Sequence, residues 1–145
     1  MVTEVITLRP DASYAEAAAL FASRGISGAP VVDALGEVVG MVSEKDLFRI
    51  LYPWYRSFYE HPEMYLDFES REHKADDVAD RRVASFMSHP VVTVDHQTPI
   101  LKAGAIMIAR HIHHLPVVSE GQLLGMVDRT NIFRTILAEN RVGAR

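Results

Sequence analysis

The sequence contains no cysteine, which excludes disulfide staples, thiolate zinc sites and cysteine nucleophiles together. No run approaches the roughly 20 apolar residues that a membrane-spanning helix needs. The N-terminus lacks the basic-then-apolar layout of a secretion signal, so a cytoplasmic location and no membrane partner are expected. Pro and Gly together make 15 of the 145 residues, too few for a disordered or collagen-like chain. Positive charge is not in excess either: 15 Lys and Arg stand against 19 Asp and Glu, for a net charge of −4. Phosphate backbones are bound by clustered Lys and Arg, so nucleic acid is not expected as a partner. Also missing are a Gly-rich phosphate loop, a His-Glu-x-x-His helix and a Ser-His-Asp set with a nucleophile elbow. Without a nucleophile or a metal site, catalysis is not expected. What is present is 48% hydrophobic and 23% charged residues, the mix of a globular domain large enough to bury a core.

That composition is unevenly spread. Seven of the twelve aromatic residues (Tyr52, Trp54, Tyr55, Phe58, Tyr59, Tyr65, Phe68) fall within 17 positions, and eight of the 19 acids lie from Glu60 to Asp80. The flanks share an internal repeat. At an offset of 86, Val5 and Thr7 align with Val91 and Thr93, Ala17 with Ala103, Arg24 with Arg110, Ile26 with Ile112, and Pro30-Val31-Val32 with Pro116-Val117-Val118. After one deletion the offset becomes 85, and Gly36, Gly40-Met41-Val42 and Phe48-Arg49 align with Gly121, Gly125-Met126-Val127 and Phe133-Arg134. The chain therefore divides into repeat 1 at 1–51, an insert at 52–86, repeat 2 at 87–138 and a tail at 139–145.

Each repeat reads as β-α-β-β-α. A short extended piece (Val5 to Leu8, Val91 to Val94) precedes a helix. Ser13 with Glu16 has capping-box spacing, and Thr98 before Pro99 is expected to cap the equivalent helix. Gly25 is placed to end the first helix. A β-branched run, a turn at Gly36 and a second apolar strand follow. Ser43 and Asp128 then stand at the N-cap of a closing helix that runs to Leu51 or Leu137. The expected fold class is α/β (α+β), with two repeats packed on each other because neither alone covers both faces of its sheet. Tyr55, Phe58 and Tyr59 share one helical face, so the insert is expected to be largely helical. It has three open roles: capping the core, mediating dimerisation, or presenting a surface to a regulated protein.

The ordered set of Val-x-Thr, a helix, Ala29-Pro30-Val31-Val32-Asp33 and Gly40-Met41-Val42-Ser43-Glu44-Lys45-Asp46, present twice, resembles the cystathionine β-synthase (CBS) domain. Two copies in one chain resemble the tandem pair called a Bateman module. The resemblance implies repeats related by a pseudo-twofold axis through their sheets. It also implies two clefts for adenosine-containing ligands such as AMP, ADP, ATP or S-adenosylmethionine, assembly into homodimers, and a sensor role toward another protein. No obligatory cofactor is implied, the nucleotide acting as a regulatory ligand. Two other readings stand beside this one: a structural or dimerisation module with degenerate ligand sites, and a sensor of S-adenosylmethionine or NAD(H).

The resemblance assigns roles residue by residue. Asp46 matches the family's ribose-binding acid, and its other reading is a helix-end carboxylate that favours the N-terminus electrostatically. Repeat 2 departs from the pattern, with Asn131 in place of the acid and Asp128 in place of the hydroxyl of Ser43, so the two clefts should differ and the Asp46 cleft is favoured. Thr7 and Thr93 match a ligand-touching hydroxyl on the leading strand. Ile26, Ser27, Gly28 and Ile112 match the edge where backbone groups read adenine. His113 and His114 stand where some members carry a basic pair for phosphate, and beside a phosphate their pKa values would rise. A metal site is not expected, since adjacent histidines leading into a strand point apart.

Overall fold

A computed structural model describes residues 4–51 and 78–140. The aromatic cluster, the expectation of a helical insert over 52–77 and residues 141–145 of the tail lie outside the described residues. The first helix, α1 (Tyr14–Arg24), starts where Ser13 Oγ accepts the Glu16 N–H at 3.1 Å and the Glu16 carboxylate accepts the Ser13 N–H at 3.3 Å. This reciprocal pair satisfies N–H groups that have no partner inside the helix. Gly25 at φ 62° ends it in the left-handed conformation that glycine adopts without cost. Tyr14, Ala17 and Phe21, at helical spacing, form the buried face.

Strands β1 (Gly28–Val32) and β2 (Val38–Ser43) pair antiparallel through a tight turn. In that turn Asp33 Oδ1 accepts the N–H groups of Leu35 and Glu37, both at 2.9 Å, and Gly36 takes φ 83°. Helix α2 (Glu44–Leu51) closes the repeat. A short 3-10 turn (Val83–Ser85) leads to repeat 2: β3 (Val94–Asp95), α3 (Ile100–Arg110), β4 (His114–Ser119), β5 (Gln122–Asp128) and α4 (Arg129–Asn140). The order β3-β4-β5 has one parallel and one antiparallel pairing. Each repeat packs helices on its own sheet around its own core, with Leu8, Phe21, Val31, Val42 and Val83 in one and Val94, Met107, Leu115, Val127 and Ile132 in the other.

Three expectations need correction. The leading strands are shorter than the β-branched runs suggested: only Leu8 pairs with Val31 in repeat 1, and only Val94 and Asp95 pair with Val117 and Val118 in repeat 2. In repeat 2 the reason is that the chain arrives from the other repeat. Ser88 is bridged to Met41 of β2 by two backbone hydrogen bonds of 3.0 and 2.8 Å, so residues 89–93 cross between sheets instead of joining one. Second, Thr98 does not cap α3. The N-cap is Pro99, with no side-chain hydrogen bond, and the preceding turn is built by Asp95, whose Oδ1 accepts the Gln97 N–H and whose carbonyl accepts the Thr98 N–H, both at 2.9 Å. Third, α4 continues to Asn140, past the expected end at Leu137.

Val83 belongs to repeat 1 physically. It is fully buried in the first core, and its N–H donates to the Ala12 carbonyl at 2.8 Å. The hairpin tips of the two repeats also meet, with Gln122 Nε2 donating to the Leu35 carbonyl at 3.0 Å over Gly36, where a side chain would collide with Gln122.

The helix C-caps of the two repeats differ in one respect that stability measurements can read. Gly25 and His111 occupy equivalent positions, both left-handed, at φ 62° and 55°. An L side chain there costs about 1–2 kcal/mol. Gly25→Ala, with open space around its Cβ position, should lower unfolding stability by about 1 kcal/mol. His111→Gly should raise it by a similar amount in urea denaturation.

Candidate functional site

The N-terminus of α2 is built by a second reciprocal pair. Asp46 Oδ2 accepts the Ser43 N–H at 2.8 Å and the Ser43 hydroxyl at 3.1 Å, while Ser43 Oγ accepts the Asp46 N–H at 3.3 Å. Asp46 is only 6% exposed, and a buried carboxylate demands hydrogen bonds to offset its lost hydration. Its two oxygens are unequally served. Oδ2 holds both short contacts, whereas Oδ1 has the Ser88 hydroxyl at 3.4 Å and Arg49 Nη1 at 3.9 Å. The helix-end and ligand readings of Asp46 are thus compatible: one oxygen caps the helix and the other retains accepting capacity.

Asp46 stands at the wall of a cleft of about 550 Å³ between the repeats, within the range typical of small-ligand pockets, roughly 300–1,000 Å³. Repeat 1 contributes Ser27, Met41, Ser43, Glu44, Lys45 and Asp46. The crossing segment contributes Ser88, Pro90, Val91 and Val92, and the stretch between α3 and β4 contributes His111, Ile112, His113 and His114. The lining therefore combines the carboxylates of Glu44 and Asp46, the Lys45 ammonium, three imidazoles and the apolar side chains of Val91, Val92 and Ile112.

Of the site residues expected from sequence, the cleft gathers Ser27, Ser43, Asp46, Ile112, His113 and His114. Thr7, Thr93, Ile26, Gly28, Asp128 and Asn131 are not among its lining residues. Gly28 acts from behind, since a Cβ there would come within 2.9 Å of the His114 ring. Asp128 and Asn131 interlock at the start of α4, with Asp128 Oδ1 accepting the Asn131 N–H at 2.7 Å and Asn131 Oδ1 accepting the Asp128 N–H at 3.4 Å. Replacing the Ser43 hydroxyl by an acid and the Asp46 acid by an amide thus preserves the cap. The Ile112 carbonyl accepts from Arg129 Nε at 3.3 Å, so this edge of repeat 2 has one backbone acceptor already engaged. Ser88, Lys45, His111 and Pro90 were missed by sequence reasoning. For Ser88 no local signal exists, because its proximity to Asp46 comes from a bridge across 47 positions to Met41.

His114 is the hinge of the histidine group. It lies in register with Asp128 on β5, and its Nε2 is 3.1 Å from Ser27 Oγ of the other repeat. Burial pushes its pKa below the ordinary imidazole value, reinforced by neighbouring His113 and opposed by the Asp128 carboxylate. The rise expected beside a phosphate is thus the reverse of what the protein alone imposes, because desolvation outweighs Asp128.

A lowered folded-state pKa means that the unfolded chain binds the proton more readily, so the stability that His114 contributes is complete above pH 6.5 and is lost as the pH falls through the depressed value. Urea unfolding between pH 8 and pH 5 should show wild type losing stability relative to His114→Gln in the acidic half of that range.

Comparison with known proteins agrees with this architecture. The profile of the CBS domain matches residues 1–53 and 83–138. The crystal structure of the CBS domain of a CBS domain-containing membrane protein from Sphaerobacter thermophilus is 28% identical and superposes with a TM-score of 0.70, covering 90% of this chain and 80% of that one. CBSX2, crystallised in complex with AMP, superposes with a TM-score of 0.72 at 24% identity over 95% of this chain and 91% of that one, a likeness of fold. The chloroplastic CBS domain-containing protein CBSX1 of Arabidopsis thaliana is 28% identical over 151 residues, 95% of this chain. The chain spans 61% of the length of CBSX1 and 41% of that of MJ1225 from Methanocaldococcus jannaschii, to which it is 24% identical. With two matched segments and a shared architecture, the chain belongs to the CBS-domain family and carries the tandem pair of repeats known as a Bateman module.

Proposed function

We propose that this CBS pair is a regulatory module that holds an adenosine-containing ligand of the AMP, ADP or ATP class in the Asp46 cleft and signals to a partner protein. The observation that carries the reading is the division of labour in Asp46, a buried carboxylate at the cleft wall with Oδ2 committed to the helix cap and Oδ1 met only by the Ser88 hydroxyl at 3.4 Å and Arg49 Nη1 at 3.9 Å. A ribose diol presents two hydroxyl donors to such an oxygen. His111, His113 and Lys45 offer cationic or protonable groups for phosphate, and Val91, Val92 and Ile112 offer apolar surface to a purine. The occurrence of AMP with CBSX2, a protein of the same fold, supports the choice of ligand class. Because the lining residues come from both repeats, a ligand that prefers one arrangement of the repeats shifts the population toward it.

The module pairs with a second copy through the apolar groove of about 590 Å³ between α3 and α4, lined by Leu101, Met107, Ile108, Ile132, Phe133 and Ile136. Leu101, Ile108 and Phe133 are exposed there, and Phe48, the repeat 1 counterpart of Phe133, is exposed as well. A contact of this exposed apolar face with its own copy across a twofold axis would bury it on both partners.

Thermal unfolding with AMP at 100 times its Kd should show about 2.7 kcal/mol of added stability. The absence of any shift with millimolar AMP, ADP, ATP, NADH or S-adenosylmethionine would defeat the proposal. Asp46→Asn retains a workable cap, as Asn131 does in repeat 2, and should weaken AMP binding by about 10- to 100-fold through loss of a charged acceptor. For the dimer, light scattering on Leu101→Glu/Phe133→Glu should give the monomer mass where wild type gives twice that.

A further inference from the structure

The Ser88 hydroxyl stands in an unusual place. It is the terminal group of an exposed residue at the cleft wall, yet it donates to Oδ1 of the buried Asp46 at 3.4 Å. This is the weaker of the Asp46 contacts: hydroxyl–carboxylate bonds reach 2.5–2.7 Å when unconstrained. Ser88 is held back by its own backbone, which exchanges two hydrogen bonds with Met41 on β2. The chain passes so close to β2 that a Cβ on Gly40 would collide with the Met87 side chain and lie 3.2 Å from the Ser88 carbonyl. Upstream, Val83 is locked in the core of repeat 1, and downstream Pro90, Val91 and Val92 form cleft wall on the way to β3 of repeat 2. Ser88 therefore sits on the strand of chain that joins the two repeats and touches Oδ1, the Asp46 oxygen outside the helix cap, which Arg49 Nη1 also approaches at 3.9 Å.

We infer that Ser88 is a positioning residue whose hydroxyl occupies the ligand-facing side of Asp46 Oδ1 and is displaced from it by a ligand hydroxyl, so that occupancy of the cleft is read by the crossing segment 87–92. This rests on the reading of the cleft as an adenosine site. A ribose hydroxyl free to approach at its preferred distance makes the stronger bond, and with Oδ2 committed to Ser43 the two hydroxyls compete for the same face. Once released, Ser88 is held to repeat 1 by its backbone pair with Met41 alone, and the segment between the repeats loses one of its fastenings. A coupling of this kind is a difference in free energy between two arrangements, each favoured by a different donor to Asp46.

The test combines calorimetry with amide exchange on the full chain, using AMP as probe, for wild type, Ser88→Ala and Ser88→Thr. Removing the competing hydroxyl should tighten AMP binding in Ser88→Ala by about 2- to 10-fold, the value of one hydrogen bond, and Ser88→Thr should restore wild-type affinity. In wild type AMP should speed exchange at the Met41 and Ser88 amides, and in Ser88→Ala the same amides should exchange equally fast with and without AMP. Weaker AMP binding by Ser88→Ala would show that the hydroxyl contacts the ligand and would overturn the inference. Unchanged affinity together with unchanged exchange at both amides would do the same. If wild type binds AMP, the functional reading survives either result; if it binds no AMP, both fall together.

Discussion

Two backbone hydrogen bonds between Met41 and Ser88 hold the start of the second repeat against the second strand of the first. Much of the cleft depends on that bridge. It carries the chain from the Val83 anchor in one core to β3 in the other, and Ser88, Pro90, Val91 and Val92 on the way become part of the cleft wall. It also gives β2 a partner on its outer side, which shields backbone donors that a bare edge strand would expose. Gly40 suits this crossing, since a Cβ there would displace the Met87 side chain and lie 3.2 Å from the Ser88 carbonyl.

Both closing helices begin with a reciprocal side-chain and backbone pair, but with the acid at opposite positions. In repeat 1 the acid is third in the helix, is buried at the cleft wall and keeps Oδ1 outside the helix cap. In repeat 2 the acid is the cap itself and an amide takes the inner position. Helix initiation tolerates either arrangement, since what it needs is an acceptor for unpaired N–H groups. The two arrangements differ in where the charge sits: in repeat 1 on Asp46 at the cleft wall, in repeat 2 on Asp128, in register with His114. The second repeat brings His111, His113 and His114 to the same cleft, so both repeats contribute to its lining.

Local features of the fold were legible in the chain. The capping box at Ser13, the left-handed Gly25, the turn at Gly36 and the strand pairs at the Pro-Val-Val runs follow from short-range chemistry, and the internal repeat doubled each signal. The leading strands are shorter than the runs Val5 to Leu8 and Val91 to Val94 suggest, because β propensity says nothing about whether a neighbour is available. Thr98 likewise does not cap α3, since Asp95 builds the preceding turn. Of the residues that line the cleft, Asp46, Ser43, Ser27, Ile112, His113 and His114 are ones that the repeat and its family likeness single out. Thr7 and Thr93 line no part of the cleft.

The sequence by itself determined two related units, the kind of elements in each, and the chemical asymmetry between Asp46 and Asn131, because these rest on contacts within a few residues. Tertiary structure alone decided which groups face each other. The Ser27–His114 contact spans 87 positions and the Ser88–Asp46 contact spans 42. Such pairs arise only when two sheets are docked and the chain between them has chosen its crossing path. Burial was decided there as well: the same docking desolvates His114 and moves its pKa down against the pull of Asp128, a balance of environments that no spacing in the chain encodes.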